Sequence, residues 1–140
     1  MKDIQYKVLG SGDNNVLYNV APEVFDNPIN PDYVAEFLSD PRHHIAVALD
    51  GDLVVGMVSA VDYVHPDKPR ELWINEVGVS PQWQQRGIGK KLLQVMFEHG
   101  RSIGCAEAWV LTDPDNAPAR KLYRSVKGEE ELSVYITFSI

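Results

Sequence analysis

Apolar residues recur along this chain with two periods, and the switches between them mark its elements. Ile4 to Val8 alternates and predicts a first strand. The stretch from 10 to 40 has the weakest pattern. It predicts two short helices, Asn14 to Phe25 and Asp32 to Leu38, with Pro31 in a first-turn position before the second. His44 to Leu49 and Leu53 to Tyr63 are rich in Val and Ala, and Asp50-Gly51 between them signals a tight hairpin. A Pro-rich loop, His65 to Pro69, leads into a fourth strand, Glu71 to Val79. The period then becomes helical. Ile88, Leu92, Leu93, Met96, Gly100 and Ile103 share one face of a helix from Ile88 to Ile103, with Gly104 as its C-cap. Ala106 to Leu111 predicts a fifth strand. Asn116 is the N-cap of a further helix, with Ala119, Leu122 and Val126 facing the core and Gly128 as its stop. Leu132 to Ile140 alternates again and predicts a last strand that closes the sheet. The order β-α-α-β-β-β-α-β-α-β argues for an α/β domain with a mixed sheet.

With 140 residues and no repeats or linkers, residues 1–140 are expected to form a single domain. A chain of this length buries roughly 65–70 % of its unfolded surface. The lone Cys105 excludes an internal disulfide framework and suits a buried, inert thiol between helix and strand. No apolar run approaches a membrane span, and Met1-Lys2-Asp3-Ile4 lacks the apolar stretch of a signal peptide, so a cytoplasmic, reducing location is expected.

The formal net charge is −7. Residues 1–70 carry 5 Lys and Arg against 11 Asp and Glu; residues 71–140 carry 8 against 9. So acidic a chain is a poor nucleic-acid binder, because neutralising phosphates needs a basic face. The asymmetry suits either plain solubility or a two-ended site, basic for an anionic cofactor and acidic for a cationic substrate.

The basic end centres on Gln84-Gln85-Arg86-Gly87-Ile88-Gly89-Lys90. Glycines at a helix start let a ligand approach the backbone, and the first helical N–H groups suit an anion such as a pyrophosphate. Arg86, Lys90 and Lys91 add charge there. Glu76, on the fourth strand, shares a side with Leu72 and Ile74 by alternation. A carboxylate on an apolar face is either salt-bridged or in a cleft where desolvation raises its pKa and favours base chemistry. Tyr123 borders the core face of the last helix, either as a packing residue or with its hydroxyl at work. His43 and His44 point opposite ways in a strand, so no metal is assigned. Trp73, Trp83 and Trp109 suit core or edge packing.

Gln84-x-x-Gly87-x-Gly89, after Val77-Gly78-Val79 and a nearby Pro81, resembles the acyl-CoA-binding motif of the GCN5-related N-acetyltransferase (GNAT) superfamily. Asn116-Ala117-Pro118-Ala119-Arg120-Lys121-Leu122-Tyr123 is similar to that family's Asn-x-x-Ala-x-x-x-Tyr helix start. The resemblance covers nearly the whole chain. It implies a GNAT-type mixed, mostly antiparallel sheet flanked by helices, with the fourth and fifth strands splayed and pantetheine in the gap. It implies acetyl-CoA as cosubstrate, seated by Val77, Gly78, Val79, Gln84, Gln85, Arg86, Gly87, Ile88, Gly89, Lys90, Asn116 and Ala119. It further implies Glu76 as general base, directly or through a water, and Tyr123 as proton donor to the thiolate. Arg120, Lys121 and Arg124 become candidates for the CoA 3′-phosphate. Glu71 to Glu76 and Asp113 to Tyr123 look similar to aminoglycoside 3-N-acetyltransferases. The expected acceptor is therefore a primary amine of a small cationic molecule. Acetylation of protein N-termini or lysines, or acyl-CoA binding without turnover, are the alternatives. No nucleic acid or membrane partner is expected, and a homodimer is compatible with all of this.

Overall fold

The computed structural model describes residues 3–140. Met1 and Lys2, the first residues of the stretch expected to lack a signal peptide's apolar run, lie outside the described residues. Among the described residues, five strands form one sheet in the order β1-β2-β3-β4-β5: Gln5–Val8, His43–Asp50, Leu53–His65, Lys68–Val79 and Glu107–Val110. Pairing is antiparallel except between β4 and β5, which are parallel. The helices are α1 (Pro31–Ser39), α2 (Ile88–Ser102) and α3 (Ala117–Ser125). No helix among the described residues is long and apolar enough to cross a membrane.

Local chemistry accounts for the boundaries. Asn30 caps α1, its side-chain oxygen accepting from the Asp32 and Tyr33 N–H groups, with Pro31 in the first turn. Gly51, at φ 61°, makes the two-residue turn that pairs Asp50 with Leu53. The expected loop at 65–69 is tighter than the sequence suggests. β3 and β4 run on to His65 and Lys68, which pair across Pro66-Asp67. The core lies where α2 crosses the sheet. Leu92, Leu93 and Met96 are buried on the same side as Leu72 and Ile74, and five consecutive residues of β2 are buried because both faces of that strand are covered. His43 stacks on Phe37 of α1 while His44 faces α2, so the two histidines do point apart.

Three expectations need correction. The first helix predicted over 14–25 is only a 3₁₀ turn, Asn14–Tyr18. The segment after it bonds to β3 instead: the Ala21 N–H donates to the Val54 carbonyl and the Val54 N–H to the Asn19 carbonyl. The second concerns Glu76. Ile74 pairs with Ala60, but Glu76 pairs with Ser59, leaving Asn75 as the extra residue of a β-bulge. A bulge reverses the alternation, so Glu76 faces away from the side that Leu72 and Ile74 share. The third concerns the C-terminus. Residues 128–140 form no helix or strand, and Leu132, Val134, Tyr135, Ile136 and Phe138 are 66–87 % exposed. Alternation gives that segment an apolar side but supplies no neighbouring strand.

Under α2, His99 contacts His44 (Nε2 to Nδ1, 2.9 Å), and His44 bonds Asp62, which also accepts from Arg70. Burial first, then the nearness of His44, lowers the His99 pKa, with Asp62 opposing. The folded chain therefore holds His99 neutral at a pH where the unfolded chain takes up a proton. This contribution to stability is full above the unfolded value of about 6.5 and is lost as pH falls towards the folded one. His99→Gln keeps an N–H donor for His44 but cannot titrate. Urea titrations at about pH 7.5 and 5.5 should show the wild type losing more stability on acidification than the variant.

Candidate active site

β4 has two partners along its first half and one along its second. Its pairing with β5 ends at Ile74 opposite Val110, while its pairing with β3 continues to Val79 opposite Gly56. Asn75 to Val79 therefore present a strand edge to an opening between β4 and β5. A cavity of about 360 Å³ lies there, lined by Asn75, Glu76, Val77, Gly78, Val79, Gln84, Tyr123, Met57, Glu23, Val24 and Asp26. The structure thus brings Glu76 on β4 and Tyr123 on α3 to one space.

The floor is set by a close approach. An added Cβ at Gly78 would stand 2.2 Å from the Val24 carbonyl oxygen, so only glycine lets the 21–26 segment cross β4 here. The Ser80 hydroxyl donates to the Pro22 carbonyl at 2.7 Å and pins that segment. Glu23 and Asp26 reach the cavity this way, and Glu23 does so at φ 65°, a backbone state unusual for a residue with a side chain. Neither residue belongs to a motif of the sequence. The acidic balance of the first seventy residues was their only trace.

The electrostatics follow from this crowding. Desolvation first, then a hydrogen bond and the charge of Asp26, raise the Glu76 pKa. Burial raises that of Tyr123, so its hydroxyl keeps its proton. One side of the cavity can accept a proton and the other can donate one.

The turn after β4 is braced by Gln84, whose amide N–H donates to the Val79 carbonyl at 2.9 Å. Gln85 at φ 62° and Gly87 at φ 79° then reverse the chain into α2. The α2 N-terminus has no side-chain cap, unlike the Asn-capped α1 and α3, and no acidic residue in its first turn. Its first N–H groups are open to an anion beside Arg86 and Lys90. At five of the expected positions the structure shows what else the residue does. The Ile88 side chain is buried, so only its backbone can serve a ligand. A Cβ on Gly89 would meet Leu122 of α3 at 3.3 Å, so this glycine serves helix packing. The Asn116 oxygen and the Ala119 N–H are committed to each other as the α3 cap. Arg120 is bonded to Glu130 and to the Pro114 carbonyl. Trp73 and Trp109 stack on each other at 5.2 Å, and Cys105 is half-buried with its thiol pKa raised by burial.

The family model for acetyltransferases (GNAT) matches residues 14–128. The chain belongs to that family. An N-alpha-acetyltransferase RimI of Mycobacterium tuberculosis is 35 % identical over 103 residues, 74 % of this chain and 63 % of that protein. The match thus spans under two thirds of that relative's length. Among solved structures, an aminoglycoside acetyltransferase from an uncultured soil metagenomic sample superposes with a TM-score of 0.84 at 21 % identity, covering 98 % of this chain and 96 % of that one. An aminoglycoside N-acetyltransferase AAC(6′)-Iy in complex with CoA gives 0.76 at 20 % identity, covering 98 % and 95 %. At these identities the likeness is one of fold. It is the GNAT arrangement of a mixed sheet with parting fourth and fifth strands.

The two motif glycines should respond differently to substitution. Gly87→Ala meets no atom but must adopt a left-handed backbone, costing about 1–2 kcal/mol. Gly89→Val drives a branched side chain into Leu122 and should lower the α2–α3 packing stability by about 1–3 kcal/mol. Chemical denaturation of both variants checks this. Without it, weakened CoA binding by Gly89→Val cannot be assigned to lost ligand contact.

Proposed function

We propose that this chain transfers an acetyl group from acetyl-CoA to a primary amine of a small polycationic molecule, in one ternary complex. The observation that carries the proposal is the shared cavity at the parting strands, with a raised-pKa carboxylate on one side and a protonated tyrosine on the other. In this reading the open edge of β4 from Val77 to Val79 pairs with pantetheine, and a backbone N–H there polarises the thioester carbonyl. The uncapped α2 terminus, with Gln85 to Lys90, holds the pyrophosphate. Gln84 braces the turn beside it, while Asn116 and Ala119 act by fixing the start of α3.

Glu76, directly or through a water, takes a proton from the substrate ammonium. The freed amine attacks the carbonyl carbon, the carbon–sulfur bond breaks, the Tyr123 hydroxyl supplies a proton to the departing thiolate, and the second proton shed by the acylated nitrogen returns to Tyr123 through solvent. Glu23, Asp26 and Glu76 give the acceptor end a negative field, which fits an aminoglycoside better than a neutral amine. The short-segment resemblance favours its 3-amino group, and the AAC(6′) fold neighbour adds the 6′-amine as the site to test beside it. The identity to the RimI protein supports a second reading, acetylation of a protein N-terminus. A panel of aminoglycosides, polyamines and N-terminal peptides, followed by free-thiol release, separates the two. Free thiol from none of them would leave acyl-CoA binding without turnover.

An alkyl ammonium has a pKa near 10.4, so little free amine exists at neutral pH, and a placed base should contribute roughly 10²–10⁴-fold. Glu76→Gln should lower kcat by that order at neutral pH, leave acetyl-CoA affinity near normal, and recover in part as pH rises. Wild-type kcat in this variant, with chemistry rate-limiting, removes Glu76 as base. Asp26→Asn removes a cause of the raised Glu76 pKa, so the acid limb of the kcat/KM profile should move to lower pH. The acidic end also predicts a salt effect. Steering is screened over about 8 Å at physiological ionic strength, so kcat/KM for a polycation should fall as salt is added. A flat profile would favour the peptide reading.

A further inference from the structure

Resting on the amine-acetylation reading above, we propose that the stacked pair Trp73 and Trp109 is a platform for a second ring of the acceptor. That ring is saturated and carries an ammonium group, which Glu71 and Glu107 receive.

Register puts the platform beside the cavity. Leu72 and Ile74 face α2, so Trp73 between them faces the other way. The bulge at Asn75 turns Glu76 to that same side. Trp73 pairs with Val61 and Glu76 with Ser59, two residues apart on β3, so about 7 Å separates the two rows. Trp109 is the β5 partner of Trp73, one position before β4 and β5 part at Ile74 and Val110. The indoles therefore stand at the closed end of the gap whose open end holds Glu76 and Tyr123.

The platform is open and rigid at once. β4 has a strand on either side of Trp73, yet Trp73 is 36 % exposed. On that side of the sheet α1 reaches β2, where Phe37 stacks on His43, and it leaves Trp73 uncovered. The two rings stack with centroids 5.2 Å apart and planes 10° from parallel. The Trp109 Nε1–H donates to the Tyr63 hydroxyl at 3.1 Å, which fixes the ring and leaves the hydroxyl proton for a ligand oxygen. A surface held in place beforehand loses little freedom when a ligand lands on it. Its indole faces attract cations and take the apolar side of a saturated ring.

The next row supplies charge. Glu71 pairs with Glu107 two residues before the tryptophans, on the same side, and Tyr63 pairs with Glu71 there. Like charges directly opposite each other repel. Among the described residues neither carboxylate takes part in an ion pair. A cation between them relieves that repulsion. Carboxylates thus stand at both ends of this side of β4, with two indoles between them. This order fits an acceptor with ammonium groups on successive rings. A peptide N-terminus has one ammonium group and leaves the far carboxylates unmet.

Calorimetric titration of the full chain, with CoA present, compares three-ring kanamycin with single-ring 2-deoxystreptamine. Trp73→Ala should weaken kanamycin binding by roughly 3–30-fold and 2-deoxystreptamine by less than about twofold. Trp73→Phe keeps an aromatic face and should recover most of that loss; Trp73→Leu keeps only bulk and should not. Glu71→Gln with Glu107→Gln should also weaken kanamycin and flatten the salt dependence of its affinity. Circular dichroism and CoA affinity report whether each variant is folded. Free-thiol release is read separately. Kanamycin binding that depends on Trp73 without acetylation overturns the transfer reading and leaves the platform standing. Acetylation of kanamycin with an affinity indifferent to Trp73→Ala and Trp73→Leu overturns the platform alone. No kanamycin binding to the wild type, or an equal loss for both ligands in Trp73→Ala, overturns it as well.

Discussion

The parting of β4 from β5 is the constraint on which the rest of this molecule depends. A strand edge inside a protein leaves N–H and C=O groups without partners, a costly state that folded chains avoid. Here the edge from Asn75 to Val79 is left open because β5 pairs only as far as Ile74. That edge is a ready template for an extended amide-bearing ligand. The glycine in Val77-Gly78-Val79 admits the 21–26 segment on one side, and the Gln84 brace turns the chain into an uncapped helix. Strand edge, anion-binding helix start and acidic crossing segment all meet at that one break in the sheet.

The bulge at Asn75 matters as much as the break. Without it Glu76 would sit beside Leu72 and Ile74 under α2, where an ionised carboxylate is costly. One extra residue turns it towards Asp26 and Tyr123 instead. Its raised pKa then comes from partial desolvation and a like-charged neighbour, so it is a stronger base than a free glutamate. Asp26 has two effects under the proposed chemistry. It raises the basicity of Glu76 and adds to the field that draws a cation.

A second polar cluster sits on the opposite face and takes no part in the proposed reaction. Asp62 is almost fully buried, and burial alone would raise its pKa. Hydrogen bonds from His44 and Arg70 outweigh that and keep it low. The cluster joins β2, β3, β4 and α2, and it lies near Cys105. Its role is to satisfy buried polar groups where the helix crosses the sheet.

Much of this was legible in the sequence because it is local. Pro31 at the start of α1, the Asn116 cap of α3, the Asp50-Gly51 turn, the apolar face of α2 and the glycine-spaced turn before it depend on residues a few positions apart. Their spacing led to the family, and through it to Glu76 and Tyr123. The tertiary structure decided what depends on distant neighbours. Asn14 to Phe25 has helical spacing for one turn only, then bonds to β3, a partner more than thirty residues away. Alternation located Glu76 on a strand but gave it the wrong face, since a bulge is set by register against β3 and leaves no local mark. Glu23 and Asp26 form no motif and reach the cavity only because Gly78 lets their segment cross β4. The spacing marks Gly89 as a ligand contact, and only the packed structure shows that Leu122 also lies against it. The alternating tail shows the limit most plainly. Its pattern states that it is a strand with one apolar side, and only the three-dimensional structure shows that its own sheet does not take it.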